Sequence, residues 1–238
     1  MNLIIDIGNT SIKTAVFDNN EPVNFQSFSH HQTGDILNFI QNHKTSGCIV
    51  SSVAEIPREL LNILKKNNTL FFTHNTKIPI KNTYKTPETL GKDRLANAIG
   101  AWKLNPGKNN LIIDAGTCLK FDFVNEKGEY HGGSISPGLS MRAKALHQFT
   151  DQLPLVDPNE FPQLTGNDTN SSLLSGVCNG MLGEINAMIS RYEAEHGTMM
   201  ITLTGGDSPL FAKALKNSIF ADRFLTLRGL NEVLNFNA

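Results

Sequence analysis

Short apolar runs closed by polar turns set the rhythm of this chain, and one of them occurs twice. Asn2-Leu3-Ile4-Ile5-Asp6-Ile7-Gly8 opens the sequence, and Asn110-Leu111-Ile112-Ile113-Asp114-Ala115-Gly116 returns near its middle. After one extra residue in the first copy, Asn9, the two continue together as Thr10-Ser11-Ile12-Lys13 and Thr117-Cys118-Leu119-Lys120. A run of this length ended by a carboxylate and a glycine predicts a buried strand, a tight turn and a second strand. Two matching copies predict a duplicated domain whose turns face each other across a cleft.

The rest of the pattern extends both halves. Strands are predicted over 2–7, 11–17 and about 21–28, with a turn at Asp18-Asn19-Asn20-Glu21. Thr33 is placed to cap a helix over about 34–44, whose Ile36, Leu37 and Ile40 share a face. A strand at Cys48-Ile49-Val50, a helix begun by Pro57 with Leu60, Leu61 and Leu64 inward, and a strand at Leu70-Phe71-Phe72 follow. Residues 74–91 read as irregular, 93–104 as a helix, and Asn105-Pro106-Gly107-Lys108-Asn109 as a linker. The second half repeats the order: strands at 110–115, about 118–124 and 129–136, then a helix over about 139–149. A loop at 151–168 and a long helix over roughly 170–196, ended by Gly197, come next. The chain closes with a strand at 200–203, a short helix, a strand near 224–227 and a final helix. The expectation is an α/β protein of two mixed sheets, divided into residues 1–108 and 109–238, with the last helix able to return to the first half.

Composition narrows the field. In 238 residues, 21 Lys plus Arg balance 22 Asp plus Glu, and no basic run occurs, so no nucleic-acid partner is expected. Met1 leads directly into a strand, without the features of a signal peptide, and no apolar stretch approaches the roughly 20 residues of a membrane helix. The 3 cysteines and 7 histidines show no metal-ligand spacing and no disulfide framework. A cytoplasmic protein in a reducing compartment, with no membrane partner, is the resulting expectation.

The turns are where chemistry is expected. Their glycines permit close approach of a ligand, their N–H groups and hydroxyls can hold phosphate oxygens, and their carboxylates can hold Mg²⁺ directly or through water. Asp6, Ile7, Gly8, Asn9, Thr10, Ser11, Ile12 and Lys13 therefore form a first candidate phosphate loop, with Asp6 a candidate Mg²⁺ ligand. Asp114-Ala115-Gly116-Thr117 is its partner. In Thr204-Gly205-Gly206-Asp207 a glycine pair follows a strand, where an adenosine could lie on backbone. Each turn alone also fits ordinary hairpin chemistry.

Together, in this order, the three turns resemble the nucleotide-binding signature of the acetate and sugar kinase, heat-shock chaperone and actin superfamily. That resemblance implies two duplicated ribonuclease H-like (actin-like ATPase) domains, with mixed five-stranded sheets flanking a nucleotide cleft. Tyr84-Lys85-Thr86-Pro87-Glu88-Thr89-Leu90-Gly91-Lys92-Asp93-Arg94 further resembles the acceptor segment of type III pantothenate kinases, built on Gly-x-Asp-Arg. Gly132-Gly133-Ser134-Ile135-Ser136-Pro137-Gly138, Ala145-Leu146-His147, Leu153-Pro154, Asn167-Asp168-Thr169 and Ser175-Gly176 continue that family's pattern. The resemblance runs from residue 1 to about 207.

It implies ATP-dependent phosphorylation of pantothenate to 4′-phosphopantothenate, at the entry to coenzyme A synthesis. By resemblance, Asp93 is the proton acceptor; Tyr84, Gly91, Lys92, Asp93, Arg94 and Thr169 bind pantothenate; Thr117 touches ATP; and Asp114 holds potassium or ammonium. A homodimer with acceptor contacts crossing its interface is also implied. The residue chemistry agrees. A carboxylate can take the hydroxyl proton and aim the oxygen at the γ-phosphorus, and an Arg fork suits the acceptor's polar groups. Simpler roles remain open. Gly91 to Arg94 also reads as a helix start, Tyr84 as a packing residue and Thr169 as a helix cap. A kinase for another hydroxylated acceptor, or a relative of the non-enzymatic accessory transcription factors in the family, would share the fold.

The chain departs from the family at one place. Where the usual pattern after Asp-x-Gly-Thr is Ala-x-Thr-x-Asp, this chain has Cys118-Leu119-Lys120-Phe121-Asp122. A cation has entered beside the implied monovalent-cation site. Either Lys120 replaces that ion, or strand alternation turns it outward.

Overall fold

The computed structural model describes residues 1–215 and 219–238. In chain order the first elements are β1 (Asn2–Ile7), β2 (Ile12–Asp18), β3 (Glu21–Phe28), α1 (Thr33–Asn42), β4 (Gly47–Ser52), α2 (Arg58–Lys66), β5 (Leu70–Phe71), β6 (Lys81–Asn82) and α3 (Lys92–Leu104). There follow β7 (Asn110–Ala115), β8 (Cys118–Val124), β9 (Glu129–Pro137), α4 (Leu139–Gln148), α5 (Thr169–His196), β10 (Met200–Thr204), α6 (Ser208–Ala214), β11 (Ile219–Ala221) and α7 (Leu225–Phe236). The chain forms two compact units. One comprises Met1–Gly107, Lys127–His131 and Phe224–Ala238, and the other Lys108–Glu126 and Gly132–Arg223.

In the first unit the strand order is β3-β2-β1-β4-β5. β1 pairs antiparallel with β2 and parallel with β4, so the sheet is mixed. Alternation along the strands gives it two apolar faces. Leu3, Ile5, Ile7, Ile12, Val16, Cys48 and Val50 form one cluster with Ile36, Phe39 and Ile40 of α1 and Leu60 and Leu64 of α2. α7 lies against β1, β4 and α3. Its crossing with α3 is close enough that a Cβ on Gly229 would collide with the Ala96 carbonyl, and one on Gly100 would stand 2.6 Å from the Leu225 carbonyl. Asn2 Nδ2 donates to Asn231 Oδ1 at 2.9 Å, tying β1 to the same helix.

The second sheet has six strands rather than the five expected, in the order β11-β10-β7-β8-β9-β6. β6 adds to its edge by pairing with the opening residues of β9, Lys81 opposite Glu129, which belong to the first unit. β7 pairs antiparallel with β8 and parallel with β10. Leu111, Ile113, Ala115, Leu119, Phe121, Phe123, Ile201 and Leu203 turn one face toward α4, α5 and α6, where Leu139, Val177, Met181, Ile185 and Phe211 complete the core. Burying these side chains contributes on the order of 1.5–3 kcal/mol each. The opposite face carries Asn110, Asp114, Asp122, Thr202 and Thr204, all buried. Such polar groups need partners, and of these Asp114 and Thr204 stand at the strand ends from which the second repeated turn springs.

Three local expectations are corrected. The strand expected near 224–227 is the start of α7; Leu225, Leu227, Leu230 and Val233 are buried at helical spacing, and the strand is β11 at Ile219–Ala221. Thr33 is the first residue of α1 rather than its cap, which is Gln32. Thr169 likewise is the first residue of α5. The cap is Asp168, whose carboxylate accepts from the Ser171 amide at 2.8 Å in a capping box.

Candidate active site

The first repeated turn is built by β1 and β2. The Gly8 amide donates to the Ser11 carbonyl at 3.0 Å, which leaves Asn9 and Thr10 exposed at the tip. Asp6 is buried at the strand end, opposite Lys13 on β2 and beside Ser51 on β4. Antiparallel partners share a face, so Asp6 and Lys13 stand on the same side of the sheet. His30 Nε2 donates to the Gly8 carbonyl at 3.0 Å, since a carbonyl only accepts. No sequence pattern marked His30; the contact arises because β3 returns its end to the turn.

The acceptor segment belongs to the same unit. Gly91 is the N-cap of α3, and Asp93 lies in its first turn, where the helix dipole favours a carboxylate. A Cβ at Gly91 would stand 2.8 Å from Asp93 Oδ1, so the glycine leaves room for that carboxylate. Lys92 Nζ donates to the Ser52 carbonyl at 3.0 Å, at the end of β4. Arg94 is buried, 5% exposed, with its guanidinium carbon 5.7 Å from the centre of the Tyr84 ring. Tyr84 in turn lies 6.3 Å from buried Tyr130. The fold thus brings Tyr84 and Gly91 to Arg94 together. Beside them Phe72, Thr73, His74, Pro87, Leu90 and Lys92 line part of a cavity of ≈ 320 Å³.

In the second unit the corresponding turn is closed by the Gly116 amide donating to the Cys118 carbonyl at 3.2 Å, with Thr117 exposed. Asp114 lies opposite Lys120 in the β7–β8 register, as Asp6 lies opposite Lys13. Lys120 Nζ is 2.8 Å from Asp114 Oδ2, and the two side chains are 14% and 12% exposed. The outward orientation of Lys120 is therefore excluded. The glycine pair divides its roles. Gly205, at φ +96°, approaches so closely that a Cβ would run into the Ala115 carbonyl and stand 2.6 Å from Asp114 Oδ1, whereas Gly206 faces open space.

Asp207 also joins this turn. Its amide donates to the Ala115 carbonyl at 2.9 Å. Burial, and then the negative charge of Asp114, push its carboxyl above the ordinary range. Only the Thr-Gly-Gly-Asp string signals it in the sequence. Thr169 is exposed at the start of α5, next to Asp168, whose carboxyl is held low by hydrogen bonds from Ser171.

A model of the type III pantothenate kinase family matches residues 2–191, a span that contains both repeated turns and the acceptor segment and ends before Gly205 to Asp207. The chain belongs to that family. The type III pantothenate kinases of Christiangramia forsetii and Bacteroides fragilis (strain YCH46) are 46% and 44% identical to it over 240 residues. Each alignment covers 100% of this chain, with 99% and 98% of the relatives. Among solved structures, a Campylobacter jejuni protein described as a Baf family transcriptional activator superposes with TM-score 0.63 at 21% identity, covering 99% of this chain and 98% of that one. A ROK family glucokinase of Streptomyces griseus, in complex with glucose and AMPPNP, gives TM-score 0.51 at 11% identity, with the same coverage. At these identities the likeness concerns the fold alone. It places this pantothenate kinase family chain among α/β proteins with two mixed sheets.

Proposed function

We propose that the protein transfers the γ-phosphoryl group of ATP to the primary hydroxyl of pantothenate, giving 4′-phosphopantothenate and ADP in the first step of coenzyme A synthesis. Full-length membership in the type III pantothenate kinase family, with the acceptor segment complete from Tyr84 to Arg94, carries this reading. Asp93 takes the hydroxyl proton as the acceptor oxygen bonds to the γ-phosphorus and the bond from that phosphorus to the β,γ-bridging oxygen breaks. In a loose transition state its larger contribution is to aim the oxygen in line. Arg94, held by burial and by Tyr84, offers its fork to the acceptor's polar groups, with Tyr84, Gly91, Lys92 and Thr169 completing the pantothenate contacts. Residues 6–13 and Thr117 hold ATP.

Among the described residues no group of three or more His, Cys, Asp or Glu gathers as a metal cage. That suits Mg²⁺ carried on the nucleotide, which needs one or two carboxylates and otherwise uses phosphates and water. Buried Asp6, at a strand end beside the phosphate turn, fits that part. When bound, the ion neutralises charge on the phosphates.

The two halves, 1–108 and 109–238, derive from one duplicated ribonuclease H-like unit. Their hairpins support this by pairing Asp with Lys in the same register. Exposed apolar side chains on and after α4, Met141, Leu146 and Phe149, the last 85% exposed, favour a homodimer. No helix among the described residues is long and apolar enough to cross a membrane, and the neutral charge balance suits the cytoplasm. A coupled ADP-release assay tests the function, comparing pantothenate with a panel of sugars. Turnover with pantothenate alone is expected. Turnover only with a sugar would change the acceptor, and none with any acceptor would overturn the kinase reading.

A further inference from the structure

The residues around Asp114 do not suit a diffusible monovalent cation. Its Oδ2 is engaged by Lys120 Nζ at 2.8 Å. Its Oδ1 faces the two turn glycines, where a Cβ at Gly116 would stand 3.1 Å and one at Gly205 2.6 Å from it. We infer that the Lys120 ammonium is a built-in monovalent cation for the second phosphate turn, so that turnover needs no potassium or ammonium.

The arrangement demands one positive charge. Asp114 is buried, and Asp207 is bound to the same turn through its amide on the Ala115 carbonyl. Two carboxylates in a poorly hydrated site repel each other and, with ATP present, would also repel its phosphates. A compensating cation can be recruited from solution or supplied by the chain. Lys120 supplies it. The register puts it on the same face as Asp114, and the Nζ carries the same single charge as a potassium ion, on a stem anchored in β8. The first hairpin uses the same pairing, Lys13 opposite Asp6, so this residue makes the two turns alike in charge. Removing the ammonium would leave a buried carboxylate uncompensated, a heavier penalty than the pair's own modest net worth.

Wild type and Lys120→Thr are compared in choline, sodium, potassium and ammonium chloride at one ionic strength. Two measurements are made: pantothenate-dependent ADP release, and, without turnover, the affinity for a non-hydrolysable ATP analogue together with the thermal midpoint. Wild-type turnover and affinity should agree across all four salts within about twofold, since screening is constant. Lys120→Thr in choline should lose about 10² in turnover, as when a positioned charge is removed from a phosphoryl-transfer site, and potassium or ammonium should restore much of it. Its nucleotide affinity and midpoint should rise with potassium but not with choline. A purely structural lysine would not give this cation-specific rescue.

Wild type activated more than about fivefold by potassium over choline would overturn the inference, and that arm needs no variant. So would a folded Lys120→Thr with wild-type turnover in choline, or one that no cation rescues. The inference rests on the kinase reading for its turnover arm. Nucleotide affinity and thermal midpoint read the cation effect whatever the acceptor proves to be, so failure of the two ideas can be told apart.

Discussion

The guanidinium of Arg94, in the first turn of α3, lies over the ring of Tyr84, 5.7 Å from its centre. A buried arginine over an aromatic face is held by the ring's negative quadrupole as well as by contact, which limits its freedom to swing. Asp93, one residue earlier, lies in the same first turn, where Gly91 leaves room for its carboxylate.

That position sets the expected behaviour of Asp93→Asn. The amide is nearly isosteric, so the variant should fold, losing at most about 0.3–1 kcal/mol of helix-dipole interaction. It should bind both substrates. It cannot accept a proton, and kcat should fall by about 10² to 10⁴. Steady-state kinetics with pantothenate check this; kcat within about threefold of wild type would move the base to another residue.

Much of this site was legible because it is local in sequence. Two copies of one strand and turn located two hairpins of the same register, and Gly91-Lys92-Asp93-Arg94 opens α3. What stayed hidden depends on chain return. His30 reaches the Gly8 carbonyl only because β3 runs back along β2, and Asp207 reaches Asp114 only because β10 pairs with β7. The misplaced strand near 224–227 has a different cause. Leu225 and Leu227 also fit an alternating pattern over so few residues, and only the continuation through Leu230 and Val233 distinguishes a helix. Caps misled for a third reason. Thr33 and Thr169 have the right chemistry, yet each falls one residue inside the helix that it was expected to cap.

Cysteine reactivity offers an independent check on where the second turn opens. Burial pushes the Cys48 thiol up to about 11, and burial, followed by the charge of Asp207, raises that of Cys178. Cys118 is half-exposed next to Thr117. A thiol reagent at neutral pH should therefore label Cys118 first in the native protein, and the other two only after unfolding. ATP should slow that labelling. Peptide mapping by mass spectrometry reads the order; early modification of Cys48 would contradict the packing of β4.

Two glycines should respond oppositely to the same substitution. At Gly229→Ala the added Cβ would meet the Ala96 carbonyl where α7 crosses α3, and overpacking of this kind costs about 1–3 kcal/mol. At Gly180→Ala, in the middle of α5, nothing lies within 4 Å of the added carbon, and relief of glycine's chain entropy should stabilise by about 0.5–1 kcal/mol. Thermal midpoints should move down and up respectively, on the order of 2–4 °C per kcal/mol for a chain of this size. A neutral Gly229→Ala would mean that the two helices pass further apart.

Asp207 makes stability depend on pH in a definite direction. Burial first, and the Asp114 charge second, raise its folded-state pKa above the unfolded value, so the native state keeps the proton longer. Its favourable contribution is complete at pH below the unfolded pKa and is lost as pH rises through the folded one. Asp207→Asn stays neutral and keeps the amide bond to the Ala115 carbonyl, so it should escape that loss. The variant's thermal midpoint should draw ahead of the wild type as pH is raised from roughly 4 toward 7, and the gap should then level off. Melting curves across that range for both proteins provide the measurement. Parallel curves would show that Asp207 titrates as it does in the unfolded chain. A gap that narrows as pH rises would show that an ion pair holds its pKa down, against the effect of burial and of Asp114.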